Sequence, residues 1–305
     1  MIKTYHRKLK DSDISEKKEF SSGSWVHVVN PHEEELGKLI DTLKLDAGHV
    51  KDALDPFEAP RLEVEKQHIY VFTRVPIEEE DRISTIPFLT IIGKQLITTI
   101  SRKEVPFTAA LLKNPGLYTT QGTKLFLQIF KQINTSYQNK LAQINRTVRR
   151  DAARIERITN KEIARFVMLE TILNDFHSSL VPQNNILNNL LNGKILSLYQ
   201  DDKELVEDLL LGNAQLIERS RSDLKNIVNI REAHSTIATN NLNQVIKLLT
   251  AMTIIMTVPM IISSLYGMNV ALPFADSPWA FVSIVIGTIL ISLLLIFIFI
   301  KNKWL

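Results

Sequence analysis

Apolar and polar positions change their rhythm three times along the chain. Up to about residue 110, apolar residues come in short runs broken by Gly, Pro and Asn. Trp25-Val26-His27-Val28-Val29 is rich in β-formers and stops at Asn30-Pro31. Residues 33–45 place Leu36, Leu39, Ile40 and Leu43 on one helical face, and a short helix over 49–54 is stopped by Asp55-Pro56. Residues 68–75 and 88–92 read as strands on either side of the acidic turn Glu78-Glu79-Glu80-Asp81. Gly93-Lys94 reads as a two-residue hairpin turn into a strand over 95–100. Strands with helices between them predict an α/β sandwich over residues 1–120.

The second rhythm is helical. Residues 123–180 hold no Gly or Pro, and Leu125, Ile129, Ile133, Leu141 and Ile144 recur at helical spacing. One or two long helices follow, with a break expected at Pro182 and a turn at Asn192-Gly193. Residues 201–266 read as one helix punctuated only by Gly212 and Pro259. At 1.5 Å per residue that is about 100 Å, a length that needs neighbouring helices along it and predicts a parallel bundle. Residues 121–246 thus form a helical, coiled-coil-like stalk.

The third rhythm is unbroken apolarity. Between Lys247 and Lys301 there is no Lys, Arg, Glu or His, and Asp276 is the only acid. Apolar runs over 248–266 and 279–300 are each long enough to cross a hydrocarbon core of about 30 Å. Residues 247–305 therefore read as a two-helix transmembrane hairpin: a first span 248–266, a loop 267–278, a second span 279–300 and a short basic tail. The fold class is an α+β membrane protein. The loop carries no Lys or Arg, whereas Lys247, Lys301 and Lys303 flank the other ends. The positive-inside rule then puts both termini in the cytoplasm and the loop outside.

Composition adds exclusions. A net charge of +3 gives no global basicity for nucleic acid. The absence of cysteine removes disulfides and thiolate metal sites and fits a reducing compartment for the first 245 or so residues. Met1-Ile2-Lys3-Thr4-Tyr5-His6 has no apolar core of a cleaved signal peptide. Arg146, Arg149, Arg150, Arg154 and Arg157 make a basic stripe, read as a solvated face balanced by Asp151 and Glu156. His32-Glu33-Glu34-Glu35 reads as a helix start. Gly193-Lys194 lacks the rest of a phosphate-binding loop, and no His-Glu-x-x-His occurs. No nucleotide site and no catalytic signature is expected, so the protein is not read as an enzyme.

Candidate chemistry lies on the long helix. At every seventh residue stand Thr236, Asn243, Thr250, Thr257 and Ser264; offset by three run Thr239, Ile246, Thr253, Met260 and Gly267. A seven-residue repeat keeps one stripe facing a bundle axis. Hydroxyls and an amide on that stripe, within an apolar span, suggest a water-bearing path with each residue repeated once per subunit. The alternative is that Ser and Thr bond back to their own helix carbonyls, or that Asn joins helices. Glu232, eleven residues before Asn243, either concentrates divalent cations at the approach or pairs with Arg231.

Tyr266-Gly267-Met268-Asn269 closes the first span, and Lys301-Asn302-Lys303-Trp304-Leu305 ends the chain. Here the sequence resembles the CorA family of magnesium channels, the signature end more strongly than the first third. The resemblance implies a homopentamer in the cell membrane that passes hydrated Mg2+, and Co2+ or Ni2+ with it, without nucleotide. It implies a selectivity filter at Gly267, Met268 and Asn269, with the ion-facing ring on Gly267 and Asn269; Met268 itself reads as a residue that packs and fixes the turn. It implies an inner ring at Asn243, which the polar stripe picks out independently. Pore-lining positions are then Asn243, Ile246, Thr250, Thr253, Thr257, Met260 and Ser264. Mg2+ gives up water reluctantly, so acceptors at a larger radius can hold the hydrated ion. Gly267 can leave the helix at positive φ and bring backbone close to the axis.

The resemblance also implies a regulatory Mg2+ site between subunits, on Asp52 ahead of Pro60-Arg61 and on Asp208, reached by ungapped alignment from the signature. Mg2+ is thus both cargo and regulatory ion. The chain departs from many family members in its outer loop, Ala271-Leu272-Pro273-Phe274-Ala275-Asp276, which keeps one acid, and in a tail with two lysines. Two further readings stand beside this one: a carrier of another divalent cation such as Zn2+ or Co2+, working inward or as an exporter, and a membrane-anchored coiled-coil scaffold or sensor without flux.

Overall fold

The computed structural model describes residues 1–305 except 81, 154, 156, 157, 194, 197, 271–276 and 305. These residues form two compact units, Met1–Ile230 and Arg231–Leu305. The first is built on a seven-stranded sheet. Its strands are β1 (Ile2–His6), β2 (Ser15–Lys17), β3 (Ser24–Val29), β4 (Arg61–Glu65), β5 (His68–Glu79), β6 (Arg82–Ile92) and β7 (Ile97–Ser101). They lie in the order β2-β1-β3-β7-β6-β5-β4. All neighbours are antiparallel except β3 and β7, which pair in parallel at the centre.

Alternation along the strands sorts side chains onto two faces. Val26, Val28, Tyr70, Phe72, Leu89 and Ile91 pack with α1 (Glu33–Leu43) and α2 (Ala47–Asp52). Trp25, Val71, Val75 and Phe88 point the other way, onto α3 (Thr108–Leu112), α4 (Gly122–Ala152), α5 (Asn160–Leu191) and the first part of α6 (Gln200–Tyr266). The result is the expected sandwich, with helices on both faces of the sheet. His32 opens α1 with a capping box that includes Glu35, so that acidic run is a helix start.

Several local expectations need correction. β6 and β7 are joined by four residues, not two: Ile92 pairs with Ile97, and Gly93 N–H donates to the Leu96 carbonyl at 3.1 Å. A Cβ on Gly93 would lie 3.1 Å from the His68 ring, which explains the glycine. Pro182 does not end its helix; α5 runs through it to Leu191. Losing one backbone hydrogen bond there costs about 3 kcal/mol. Buried Leu180, Ile186, Leu187 and Leu190, each worth about 1.5–3 kcal/mol, outweigh it. Of the one or two helices expected over 123–180 there are two, and Thr159 caps the second, α5, in a box with Glu162. In the basic stripe, half-buried Asp151 pairs with Arg150 and Arg165. Arg154, Glu156 and Arg157 lie outside the described residues, as do Asp81 of the acidic turn and Lys194.

α6 is a single helix of 67 residues that passes through both Gly212 and Pro259. Within the first unit its buried positions are Asp202, Val206, Leu209, Asn213, Leu216, Ser220, Asp223 and Ile227, a 4-3 seam against α4 and α5. Three of the four polar members are tied in: Asn213 Nδ2 donates to the Leu180 carbonyl at 2.9 Å, Ser220 Oγ to that of Leu173 at 3.1 Å, and Asn145 Nδ2 to Asp223 Oδ1 at 2.5 Å. The second unit holds the rest of α6 and α7 (Ala280–Lys301). Both helices are long and apolar enough to span a bilayer, with mean hydropathy 2.1 and 3.0 in their most apolar windows. None of the α7 window is buried by its own chain, the distribution of a helix that meets lipid or other subunits.

Candidate ion path and cytosolic metal site

The candidate path begins where α6 ends. Gly267 N–H donates to the Ser263 carbonyl at 3.0 Å and Met268 N–H to that of Leu265 at 3.3 Å, so the last turn tightens before the chain leaves the helix. Gly267 does not take the positive φ expected of it; among described glycines only Gly23 and Gly193 do. A Cβ there would lie 3.3 Å from the Ser263 carbonyl oxygen, the ordinary spacing of a helical Cβ from the carbonyl four residues back. Met268 is half exposed rather than packed within the chain, and Asn269 is exposed. Loop residues 271–276, including Asp276, lie outside the described residues.

Along the stripe, Thr250, Thr253 and Thr257 donate their hydroxyl protons to the carbonyls of Ile246, Leu249 and Thr253, at 2.8, 2.8 and 2.7 Å. Thr236 and Thr239 do the same toward Glu232 and Ser235. The back-bonding alternative therefore describes where the protons go. It does not exclude the other role. A hydroxyl whose proton is committed to its helix offers only lone pairs outward, the polarity that suits the water hydrogens of a hydrated cation. Asn243, Ile246, Met260 and Ser264 are exposed, and every residue from 238 to 250 is exposed. That segment includes Leu242, Val245, Ile246, Leu248 and Leu249, apolar groups with no cover from their own chain.

Asp52 ends α2 and is met by a residue that served in the sequence only as a landmark. Arg61 Nη2 donates to Asp52 Oδ2 at 2.7 Å, while the same guanidinium pairs with Glu58 and lies 3.6 Å from Glu63. It also stacks 4.0 Å over the Phe72 ring. The loop between α2 and β4 is fixed by Arg74, which donates to the carbonyls of Pro56 at 3.0 Å and Glu58 at 2.7 Å. The Arg74 carbonyl in turn accepts from Tyr137 Oη at 3.1 Å and Gln183 Nε2 at 3.0 Å. Asp52 thus sits on a rigid mount linked to α4 and α5.

Asp208 is exposed on α6, beside a groove lined by Lys131, Asn134, Gln138, Gln215 and Arg219. α2 and α6 pack on opposite faces of the sheet, so one chain does not bring Asp52 and Asp208 together. Glu232 is exposed on α6, and its carbonyl accepts the Thr236 hydroxyl at 3.0 Å.

Comparison with known proteins gives a consistent result. The cobalt/magnesium transport protein CorA of Methanocaldococcus jannaschii is 27% identical over 289 residues, 92% of this chain and 90% of that protein. The complete structure of the CorA magnesium transporter from the same organism superposes with a TM-score of 0.90 at 24% identity, covering 100% of this chain and 99% of that one. The full-length CmaX protein shares the fold at a TM-score of 0.76 and 16% identity, over 99% of this chain and 97% of its own. The family model for CorA-like Mg2+ transporter protein matches residues 21–301. With the soluble α/β unit, the long α6 and the apolar α7 all accounted for, this chain belongs to the CorA-like Mg2+ transporter protein family.

Proposed function

We propose that the chain is a passive channel for hydrated Mg2+, passing Co2+ and Ni2+ as well, assembled as a homopentamer in the cell membrane with both termini in the cytoplasm. Residues 1–120 serve as the cytosolic sensor domain, 121–246 as the stalk and 247–305 as the membrane hairpin. Gly267, Met268 and Asn269 form the selectivity filter. Asn243, Ile246, Thr250, Thr253, Thr257, Met260 and Ser264 line the path, with Glu232 at its cytosolic approach. The observation that carries this reading is the set of threonines whose protons are spent on their own helix, the first of them, Thr250, closing a stretch, 238–250, that is exposed throughout. At these threonines only lone pairs are left to face the path, and an ion that keeps its inner water needs acceptors at that radius. Side-by-side α6 helices would also cover Leu242, Val245 and Ile246.

Cytosolic Mg2+ gates the channel by bridging Asp52 of one subunit and Asp208 of its neighbour, where two carboxylates repel without a cation and attract with one. Entry is driven by the potential, worth about 4.6 kcal/mol for a divalent ion per 100 mV. The test is Mg2+ uptake into proteoliposomes at an imposed inside-negative potential, comparing the natural chain with Asn269→Ala. Uptake that collapses in the variant is the expected result. No uptake by the natural chain would discard the channel and leave the scaffold reading.

A further inference from the structure

On the sheet face that carries α2, three potential metal ligands converge without any role in the path. Asp46 is the N-cap of α2, His49 lies in its first turn and Glu65 ends β4. Their ligand atoms all lie within 4.8 Å of one another. His49 Nε2 stands 3.5 Å from Glu65 Oε2. That separation is too long for a good hydrogen bond, which runs about 2.7–3.2 Å. It is close to the edge of a metal tetrahedron, about 3.3 Å for bonds of 2.0–2.1 Å.

The ligands are held in place before any ion arrives. The His49 ring packs on Tyr70 at 4.6 Å and on Phe72 at 6.0 Å. Tyr70 Oη accepts the backbone N–H of Asp46 at 2.8 Å. Asp46 Oδ1 accepts the backbone N–H of His49 at 3.0 Å, which leaves the other carboxylate oxygen for a metal. The same Oδ1 sits 3.0 Å from where a Cβ of residue 48 would be, and residue 48 is glycine. A side chain there would press on that oxygen, which would have to give by a few tenths of an ångström. His49 and Glu65 are 20% and 41% exposed, so an ion has a way in. Lys66 Nζ, 4.0 Å from Glu65 Oε1, is the nearest competing cation.

We propose that Asp46, His49 and Glu65 form a site for a borderline divalent transition metal of the Co2+ or Zn2+ kind. One imidazole and two carboxylates supply a neutral nitrogen and two negative charges to match a divalent ion. Imidazole selects such ions over Mg2+, which prefers oxygen and near-ideal octahedral geometry. The site is distinct from the Asp52 and Asp208 pair, yet α2 carries both. α2 is tied to β4 at its far end by Asp52 and Arg61, and a metal between His49 and Glu65 would tie it at its near end. The site stands whether or not the chain conducts ions.

The test is equilibrium binding of Co2+ to the full-length protein in detergent, with excess Mg2+ present throughout, read by calorimetry and by the visible d–d absorption of bound Co2+. The natural chain is expected to bind one equivalent per chain with a nitrogen-ligated spectrum. His49→Gln and Glu65→Gln should each abolish that equivalent. Tyr70→Phe, which touches only the ligand mount, should weaken it by about 10–100-fold. His234→Gln, on α6 in the second unit, should leave it unchanged. A Co2+ equivalent that survives His49→Gln with the same spectrum, or that excess Mg2+ removes, would overturn the proposal. Circular dichroism of each variant separates ligand loss from misfolding.

Discussion

Arg61 offers the sharpest handle on the gating site, because it already occupies the acid proposed to bind Mg2+. Its guanidinium is 2.7 Å from Asp52 Oδ2. Replacing it by Met keeps an apolar stem over Phe72 and removes one positive charge. A divalent ion on Asp52 would lie about 5 Å from that charge, a repulsion of about 1.7 kcal/mol at the dielectric of water. The water value is the right one because the two side chains are 31% and 44% exposed. Screening at physiological salt reduces the repulsion to about 1 kcal/mol. Arg61→Met should therefore lower the Mg2+ concentration that protects the full-length protein from limited proteolysis by roughly five- to twenty-fold. Asp52→Ala should abolish the protection. Glu58 loses a partner in the same variant, so its melting temperature should fall even as its Mg2+ midpoint improves. An unchanged or higher midpoint in Arg61→Met would refute the assignment of Asp52 as a Mg2+ ligand.

Other outcomes follow from single contacts. Burial holds the His27 imidazole below its usual range, with Glu104 offsetting part of the effect. The unfolded chain then takes up a proton below about pH 6.5 that the folded chain refuses, so this contribution is intact above that pH and is lost as pH falls. His27→Gln should flatten the acid side of a melting-temperature profile; an unchanged slope would count against it. Tyr137→Phe removes one of two donors to the Arg74 carbonyl and should cost about 1 kcal/mol in denaturant unfolding of the soluble unit. Gly267→Ala adds a methyl at the proposed filter ring, where neighbouring subunits would meet. Mg2+ flux should fall by about tenfold or more while the melting of the soluble unit is unchanged, since a filter ring tolerates displacement poorly.

What could be read from the sequence follows from where burial leaves a signature. The two apolar spans and the length of α6 are written in the missing charges after Lys247 and in a helical pattern over 201–266 that only Gly212 and Pro259 punctuate. The centre of the sheet shows in β3, which is buried throughout. Its edges do not show: β2 is exposed at every position, and β4 places Arg61, Glu63 and Glu65 in a strand, as edge strands do. Pro182 misleads because a local rule is overridden by packing on both sides. The seam of α6 is hidden by the buried polar residues Asp202, Asn213, Ser220 and Asp223, the last three with partners far away in sequence. The same distance hides the Arg61 and Asp52 pair and the meeting of His49 with Glu65. Asp46 could have been recognised as a helix cap, but nothing local says that β4 will return beside it.

The central claim is that the stripe on α6 lines a shared aqueous path. The chain has no cysteine, so single replacements can be probed on an otherwise silent background. The decisive measurement is Mg2+ flux through proteoliposomes carrying Thr257→Cys, Ser264→Cys or the off-stripe Met256→Cys, before and after a charged, membrane-impermeant thiol reagent. The account predicts labelling and block at 257 and 264, with neither at 256. Block at 256 equal to that at 257, or stripe cysteines that stay unlabelled in a conducting protein, would contradict it.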